Sequence, residues 1–354
     1  VDDVILLFGG ASSERLVSVA SAQNVSRRLP EARPWFLSQA LEVHDVPAAR
    51  LQAHEAVFQA PFVPGASARW PSLAAALDTL RGRGAAVFLA LHGGEGEDGT
   101  VQSLLEARGL AFTGSGARAS ADAFDKARAK ALAAARGARV ADARELPPSS
   151  EAELLTALEA LLAEHPRWVL KPRSDGSSHG LKHLAAREQV PEAAALLARL
   201  QRAYLAERFI AGRELTVGVV EEGGGAAALP VSEVVLEPGA AFDYQGKYLG
   251  RGTREVTPAA LAVAEREAAQ ALALLTHRAV GCAGYSRTDM MLAPDGLVLL
   301  EINTLPGLTQ ASFIPQQLQA SGRDLEAFLR GQLDLARARA NRTAGAVSAA
   351  NPGA

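Results

Sequence analysis

Hydrophobic positions along this chain come in short runs, and whatever interrupts each run indicates the kind of element it forms. Val4-Ile5-Leu6-Leu7-Phe8 is unbroken and stops at Gly9-Gly10, and an amphipathic stretch follows from about Glu14 to Leu29. Ala85 to Leu91 is a second unbroken run, stopping at His92-Gly93-Gly94. Runs without alternation suit parallel strands covered on both faces, and loops at the carboxyl ends of such strands usually carry sites. Residues 1 to about 115 are therefore predicted to form an open α/β domain.

Farther on the pattern changes. Ala119 to Arg136 reads as one alanine-rich helix with Lys and Arg on one side, stopped by Gly137. A helix over about 151–164 leads to a strand at Trp168-Val169-Leu170-Lys171, and another strand is expected from Leu205 to Ile210 before a hinge at Ala211-Gly212. Leu215 to Val220, Val231 to Leu236, Gly284 to Leu292 and Leu297 to Asn303 alternate more, as antiparallel strands do, with a long helix over about 258–277 among them. The tail after about Arg337 is small and polar and is expected to be disordered.

Composition narrows the class of protein. The 354 residues exceed one ordinary domain, and 48% hydrophobic with 21% charged residues suits a globular chain with a sizeable core. A net charge of -3 and only 5% aromatics argue against nucleic acid and anionic membrane as partners. The single cysteine, Cys282, excludes an internal disulfide. No apolar run approaches the roughly 18–20 residues of a membrane span. The first residues lack the basic flank and cleavage site of a signal peptide, so a cytoplasmic location is expected.

Candidate chemistry is densest near the end. Pro294-Asp295-Gly296 between two strand patterns is a hairpin turn, since proline presets φ and glycine tolerates positive φ. Folding about Asp295 sets Asp289 opposite Glu301 and Arg287 opposite Asn303, within one residue. Alternation puts these four on one face and Met290, Leu292, Leu300 and Ile302 on the other. Two facing carboxylates with an amide close by make sense around a hard cation, and oxygen donors point to Mg²⁺ or Mn²⁺. The competing reading is a solvated face on which Arg287 neutralises both acids. Asn303-Thr304-Leu305-Pro306-Gly307-Leu308-Thr309, followed by Ser312, can present backbone N–H groups to an anion, or is simply a turn.

Lys171-Pro172 precedes Asp175-Gly176-Ser177-Ser178-His179-Gly180, a small loop able to close over phosphates, although neither a P-loop nor a Rossmann fingerprint is present. Glu14 opens a helix, where an acid is favourable in its own right. His92-Gly93-Gly94-Glu95-Gly96-Glu97-Asp98-Gly99 fits an ordered functional loop better than a hairpin turn. Phe242-Asp243-Tyr244-Gln245-Gly246-Lys247-Tyr248 has the length and aromatic content of a lid.

Taken in order, these segments resemble the D-alanine–D-alanine ligases of the ATP-grasp superfamily. The similarity runs from Gly9 to about Leu329 and includes Asp125-Lys126. The resemblance implies a three-domain ATP-grasp fold, α/β and α+β in class. An N-terminal α/β domain over 1–118 carries the first D-alanine site. Domains over 119–210 and 211–337 sandwich ATP, and a tail over 338–354 is expected to be disordered. It implies ligation of two D-alanine molecules through D-alanyl phosphate, for cell-wall precursor synthesis, by a homodimer using ATP and two Mg²⁺ (or Mn²⁺) ions.

Carried over residue by residue, the resemblance gives Lys126 and Lys171 to the phosphates and adds Ser178 and Lys247 to the nucleotide-binding set. Glu207 with the backbone of Arg208, Phe209 and Ile210 would meet adenine, and Glu214 the ribose. Asp289, Glu301 and Asn303 would hold the metal. Arg287 would stabilise the oxyanion, and Glu14, linked to Ser177 and Tyr248, would hold the first ammonium. Lys247 is counted with the catalytic residues and His92 with the substrate-binding ones. Gly307 and Ser312 would receive the second D-alanine. Two positions depart from the family pattern: His179 replaces a small aliphatic residue, and Leu16 an acidic one. His179 is expected on the loop over the phosphates rather than in the core. The tyrosine at 248 matches dipeptide-forming members, so amide rather than D-lactate ester is the expected product. Another ATP-grasp carboxylate–amine ligase, or a nucleotide-binding regulator without catalysis, are the competing functions.

Overall fold

A computed structural model of the chain describes residues 3–176, 180–223, 225–236 and 253–350. The first sheet consists of β1 (Val4–Gly9), β2 (Arg33–Leu37), β3 (Val43–Asp45), β4 (Ala86–Leu89) and β5 (Ala111–Phe112), in the order β3-β2-β1-β4-β5. All its pairings are parallel except that of β2 with β3. Every residue of β1 and β4 is buried, as their unalternating sequences require. β1 runs between β2 and β4, so the chain leaves it in opposite directions at a switch point where ligands characteristically bind. Gly9-Gly10 and the loop starting at His92 both lie at that end.

The second sheet is antiparallel: β6 (Ala143–Leu146), β7 (Trp168–Pro172), β8 (Lys182–Leu184) and β9 (Tyr204–Arg208), in the order β6-β9-β7-β8. Helices Glu151–Glu164 and Val190–Leu200 share a core with it, burying Leu154, Leu158 and Leu161 against Trp168 and Leu170. Ser150 and Glu153 form a capping box that fixes where the first helix starts.

The third sheet, also antiparallel, consists of β10 (Arg213–Glu222), β11 (Gly225–Ala228), β12 (Ser232–Leu236), β13 (Thr253–Val256), β14 (Tyr285–Ala293) and β15 (Gly296–Asn303). Its main path runs β13-β12-β10-β14-β15, with β11 beside β10. Alternation sorts β10: Leu215, Val217 and Val219 pack with Ala269 and Ala273 of the helix Val263–Val280, while Glu214 and Thr216 face a cavity.

Three expectations change. The helix expected over 119–136 is two, Ala117–Phe124 and Lys126–Ala134, broken at Asp125. The Asp125 carboxylate accepts from the Arg128 N–H (3.1 Å) and from the Arg173 guanidinium (2.9 Å), so capping overrides the alanine-rich propensity on either side. The helix expected over 258–277 starts later, at Val263, and ends at Gly281 in the left-handed conformation. The tail is not disordered over its length, because a helix runs from Leu325 to Ala350; residues 351–354 lie outside the described residues. Ala336 is buried, Ala340 packs on the core, and Arg339 donates to the Phe112 carbonyl (2.6 Å). The alanines and arginines of that stretch are strong helix formers, and the helix has one face to lay against the first sheet.

That helix belongs to a core shared by the first and third sheets. Leu305, Leu308, Ile314, Phe328 and Leu333 pack in the same cluster as β1 and β4. Deleting residues 338–354 is expected to reduce stability by about 1–3 kcal/mol, the scale of a lost buried hydrogen-bond partner. Urea denaturation of the full and shortened chains tests this, and coincident midpoints would mean the tail carries no stability.

Candidate active site

Two loops from the first sheet make one wall of the cavity. The Ser12 hydroxyl donates to the His92 carbonyl (2.5 Å), and Glu95 accepts from the Ala11 N–H (2.5 Å). Glu14, directly before the helix Arg15–Arg28, is buried and lines the cavity. Its Oε2 requires glycine nearby: a Cβ on Gly176 would lie 2.2 Å from it, and one on Gly93 2.7 Å. The carboxylate is thus wedged between the first domain's loop and the backbone that follows β7.

His92 ties this wall to the loop after β15. Its Nδ1 lies 2.9 Å from the Leu305 carbonyl, which can only accept, so Nδ1 carries the proton. Its Nε2 lies 2.9 Å from the Ser21 hydroxyl, which also accepts from the Leu308 N–H (3.2 Å). The Asn24 amide donates to the Leu308 carbonyl (2.7 Å). Residues far apart in sequence therefore fix the turn that presents Gly307, Thr309 and Ser312. There the Ser312 hydroxyl pairs with that of Thr309 (2.8 Å) and accepts from the Thr309 N–H (3.1 Å).

The floor is the β14–β15 hairpin. Arg287 pairs with Asn303 and Asp289 with Glu301, as alternation predicts. Arg287 donates to both Asp289 oxygens, 2.9 Å from Nε and 2.8 Å from Nη2, and the Thr216 hydroxyl donates to the same carboxylate. Asn303 Oδ1 accepts from the Leu305 N–H (2.8 Å). One expectation fails: the register shifts between Asp289 and Met290, so Met290 pairs with Leu299 and Leu300 is the extra residue. The bulge turns Leu300 out of the buried face, and with Met291 it lines the neighbouring cavity.

That second cavity, about 680 Å³, opens between the second and third sheets and shares Lys126, Asp175, Gly176, Glu214, Asp289 and Glu301 with the first. Its size is within the ordinary range for a small-molecule site. Val169, Phe209, Ile210, Met291 and Leu300 give it apolar walls. The Arg167 guanidinium lies 3.7 Å over the Phe209 ring at its edge. At the inner end, Lys126 Nζ is 3.8 Å from Glu301 and donates to the Asp175 carbonyl. Lys171 Nζ is 2.6 Å from Glu207, whose other oxygen is held by Lys130.

Two buried ammoniums thus share one carboxylate. Burial, and then Lys171 beside it, push Lys130 down to about 7. Burial would also lower Lys171, but Glu207 and Glu301 outweigh it and hold that lysine above its ordinary value. Burial would raise Glu207, but Lys171 and Lys130 keep it below the usual carboxylate range. Asp289, Glu301 and Asn303 offer three hard oxygen donors, two of them carboxylates facing each other across a hairpin, a set that fits Mg²⁺. Among the described residues no group of three His, Cys, Asp or Glu comes together to hold a metal ion.

Of the residues singled out from sequence, Glu14, Lys126, Glu214, Arg287, Asp289, Glu301, Asn303, Gly307 and Ser312 line the first cavity. Lys171, Glu207, Phe209 and Ile210 line the second. His92 stands behind the wall of the first. Ser177, Ser178, His179, Lys247 and Tyr248 lie outside the described residues. Lys130 escaped the sequence reading, where it is one of several basic residues on an alanine-rich helix. The signal was its spacing, four residues beyond Lys126 and so on the same helix face.

The family profile described as D-ala D-ala ligase N-terminus matches residues 3–115, and that described as D-ala D-ala ligase C-terminus matches 148–333. A D-alanine–D-alanine ligase of Cupriavidus taiwanensis is 36% identical over 326 residues, covering 92% of this chain and 88% of its own. One from Leptospira interrogans is 41% identical over 249 residues, 68% and 70% of the two chains. Among solved structures, the D-alanine–D-alanine ligase of Coxiella burnetii superposes with a TM-score of 0.80 at 23% identity over 99% of this chain and 98% of its own. The VanG D-Ala:D-Ser ligase of Enterococcus faecalis gives 0.76 at 26% identity over 95% and 99%.

The Glu207 cluster sets a pH expectation. A carboxyl whose folded value lies below its unfolded one adds stability above the unfolded value, near 4.5, and loses it as pH falls through the folded value. Glu207→Gln is expected to cost about 3 kcal/mol at neutral pH, as when a buried ion group loses a partner. Thermal melting from pH 7 down to acid should show the two proteins converging below about pH 4.5. A gap that persists or widens in acid would contradict the assignment.

Proposed function

The chain belongs to the D-alanine–D-alanine ligase family, and from that premise we infer that it joins two D-alanine molecules at the expense of ATP, through D-alanyl phosphate, releasing ADP and phosphate. The observation that carries the reading is the continuity of the two cavities. A path lined by buried and half-buried acids and cations runs from Glu14 and Gly176, past Arg287 and Glu301, to Ser312 on one side and Phe209 on the other. Domains over 1–118, 119–210 and 211–337 fit the three sheets, and the homodimer, the cytoplasmic setting and cell-wall precursor synthesis belong to the same reading.

A carboxylate is a poor electrophile, and phosphorylation makes its carbon attackable. In this reading the adenine lies between the apolar side chains of Val169, Met291 and Leu300 and beside the chain at Glu207–Ile210. Glu214 takes the ribose. Lys126 and Lys171 neutralise phosphate charge while the γ-phosphoryl group passes to a carboxylate oxygen of the first D-alanine. Glu14 holds that molecule's ammonium, with the tie to Ser177 and Tyr248 as part of the proposal. Asp289, Glu301 and Asn303 would hold Mg²⁺, which when bound neutralises charge on the phosphates.

The second D-alanine sits at Gly307 and Ser312. Its amine, after losing a proton, attacks the acyl phosphate carbon, and Arg287 meets the charge that develops on the carbonyl oxygen. Arg287 is well placed for this because both contacts to Asp289 fix the plane of its guanidinium. Phosphate then leaves with the oxygen it took from the first D-alanine.

ADP release with ATP, Mg²⁺ and D-alanine, set against L-alanine, tests the activity; equal or absent release would overturn it. Adding D-lactate as competing acceptor and separating the products is expected to leave D-alanyl-D-alanine dominant over the ester at about neutral pH, where the amine out-competes a hydroxyl. Glu301→Gln, which changes charge and hardly changes volume, is expected to abolish ligation in a folded protein. Arg287→Gln is expected to lower kcat by about 100- to 1,000-fold, the effect of removing an oxyanion donor. Near-normal turnover by either variant would contradict the role given to that residue.

A further inference from the structure

We propose that Lys130 is a positioning residue for the nucleotide: by holding one oxygen of Glu207, it leaves the ammonium of Lys171 available to the phosphates. Lys130 is buried and lines neither of the two cavities. It sits one turn beyond Lys126 on the helix Lys126–Ala134, whose single face thereby sends two lysines to two cleft acids. Lys126 goes to Glu301 and Lys130 to Glu207 Oε1, while Glu207 Oε2 holds Lys171 at 2.6 Å.

Count the charge in that group. When both lysines carry their protons, two ammoniums and one carboxylate leave one positive charge beside the cleft, on the side lined by Lys171. Take Lys130 away and Glu207 has Lys171 as its only ammonium partner in the group. The remaining pair is neutral, and every phosphate contact Lys171 makes must compete with a buried carboxylate. A buried carboxylate that loses a partner holds the other more tightly, because among the described residues these two lysines are its compensating cations.

The inference rests on nucleotide binding in this cavity, so its main test reads ATP affinity, with the D-alanine KM as a second readout. Calorimetric titration of the full chain with ATP and Mg²⁺, without D-alanine, is carried out on wild type, Lys130→Met, Glu207→Gln and the double variant. Lys130→Met is expected to weaken binding by about tenfold in the wild-type background and by less than about threefold once Glu207 is Gln, because coupled residues are non-additive. The KM for D-alanine should stay within about twofold of wild type in Lys130→Met, since uniform binding of the other substrate is untouched. Equal losses in the two backgrounds, no loss at all, or a D-alanine KM that moves with ATP affinity would overturn the proposal. Lys130→Gln enters the same cycle if the methionine variant does not fold. If neither folds alone yet the double variant with Glu207→Gln does, the compensation of Glu207 is supported. If none folds, the lysine holds the fold and not the cleft, and the proposal fails. Wild-type ATP binding without D-alanine-dependent ADP release would sink the ligase reading while leaving the ATP-binding cycle intact.

Discussion

Acids gathered in one cleft repel one another unless fixed cations stand between them, and most of the site's architecture answers that constraint. Asp289 and Glu301 face each other across a hairpin, and Glu207 is buried in the neighbouring sheet. Arg287 grips Asp289, Lys126 approaches Glu301, and Lys130 and Lys171 share Glu207. These cations come from different elements: the helix Lys126–Ala134, β7 and β14. Charge compensation therefore joins pieces that no hydrophobic core alone would bring together. In the proposed reading a triphosphate would enter a cleft whose dipoles and charges are already fixed, the condition under which electrostatic stabilisation is largest.

The hydrophobic core sets the distances. The turn after β15 belongs to the same apolar cluster as β1 and β4, and His92 bridges the two through Leu305 and Ser21. The end of the cavity at Ser312 is consequently held relative to Glu14 by packing and by a buried polar chain in which the described donors have acceptors. Such an arrangement suits a reaction in which two small molecules meet at an exact spacing, because much of the barrier is removed by orientation.

How far the sequence discloses this depends on the range of the interaction. The hairpin was legible because turn chemistry and alternation are local, and they yield the pairing of Arg287 with Asn303 and of Asp289 with Glu301. The glycine-rich loops at 9–15 and 92–99 were legible because each follows an unbroken apolar run. The bulge at Leu300 was not, since alternation carries no mark of an inserted residue. β2 was missed because Arg33-Pro34 hides a short strand behind a charge and a proline. The partner of Lys130, Glu207, lies 77 positions away, so the spacing from Lys126 marks its helix face and not the acid it meets. The tail misled for a related reason: alanine-rich polar sequence is disordered or helical according to whether a surface waits to be covered.

The central step of the proposed reaction is transfer of the γ-phosphoryl group to a carboxylate oxygen of the first D-alanine, with that oxygen leaving in the phosphate. D-alanine labelled with heavy oxygen in its carboxylate tests this directly, by mass analysis of the phosphate released after turnover with ordinary ATP in ordinary water. The account predicts one labelled oxygen in each phosphate formed from the labelled donor. Phosphate without label, released in step with D-alanyl-D-alanine, would contradict it.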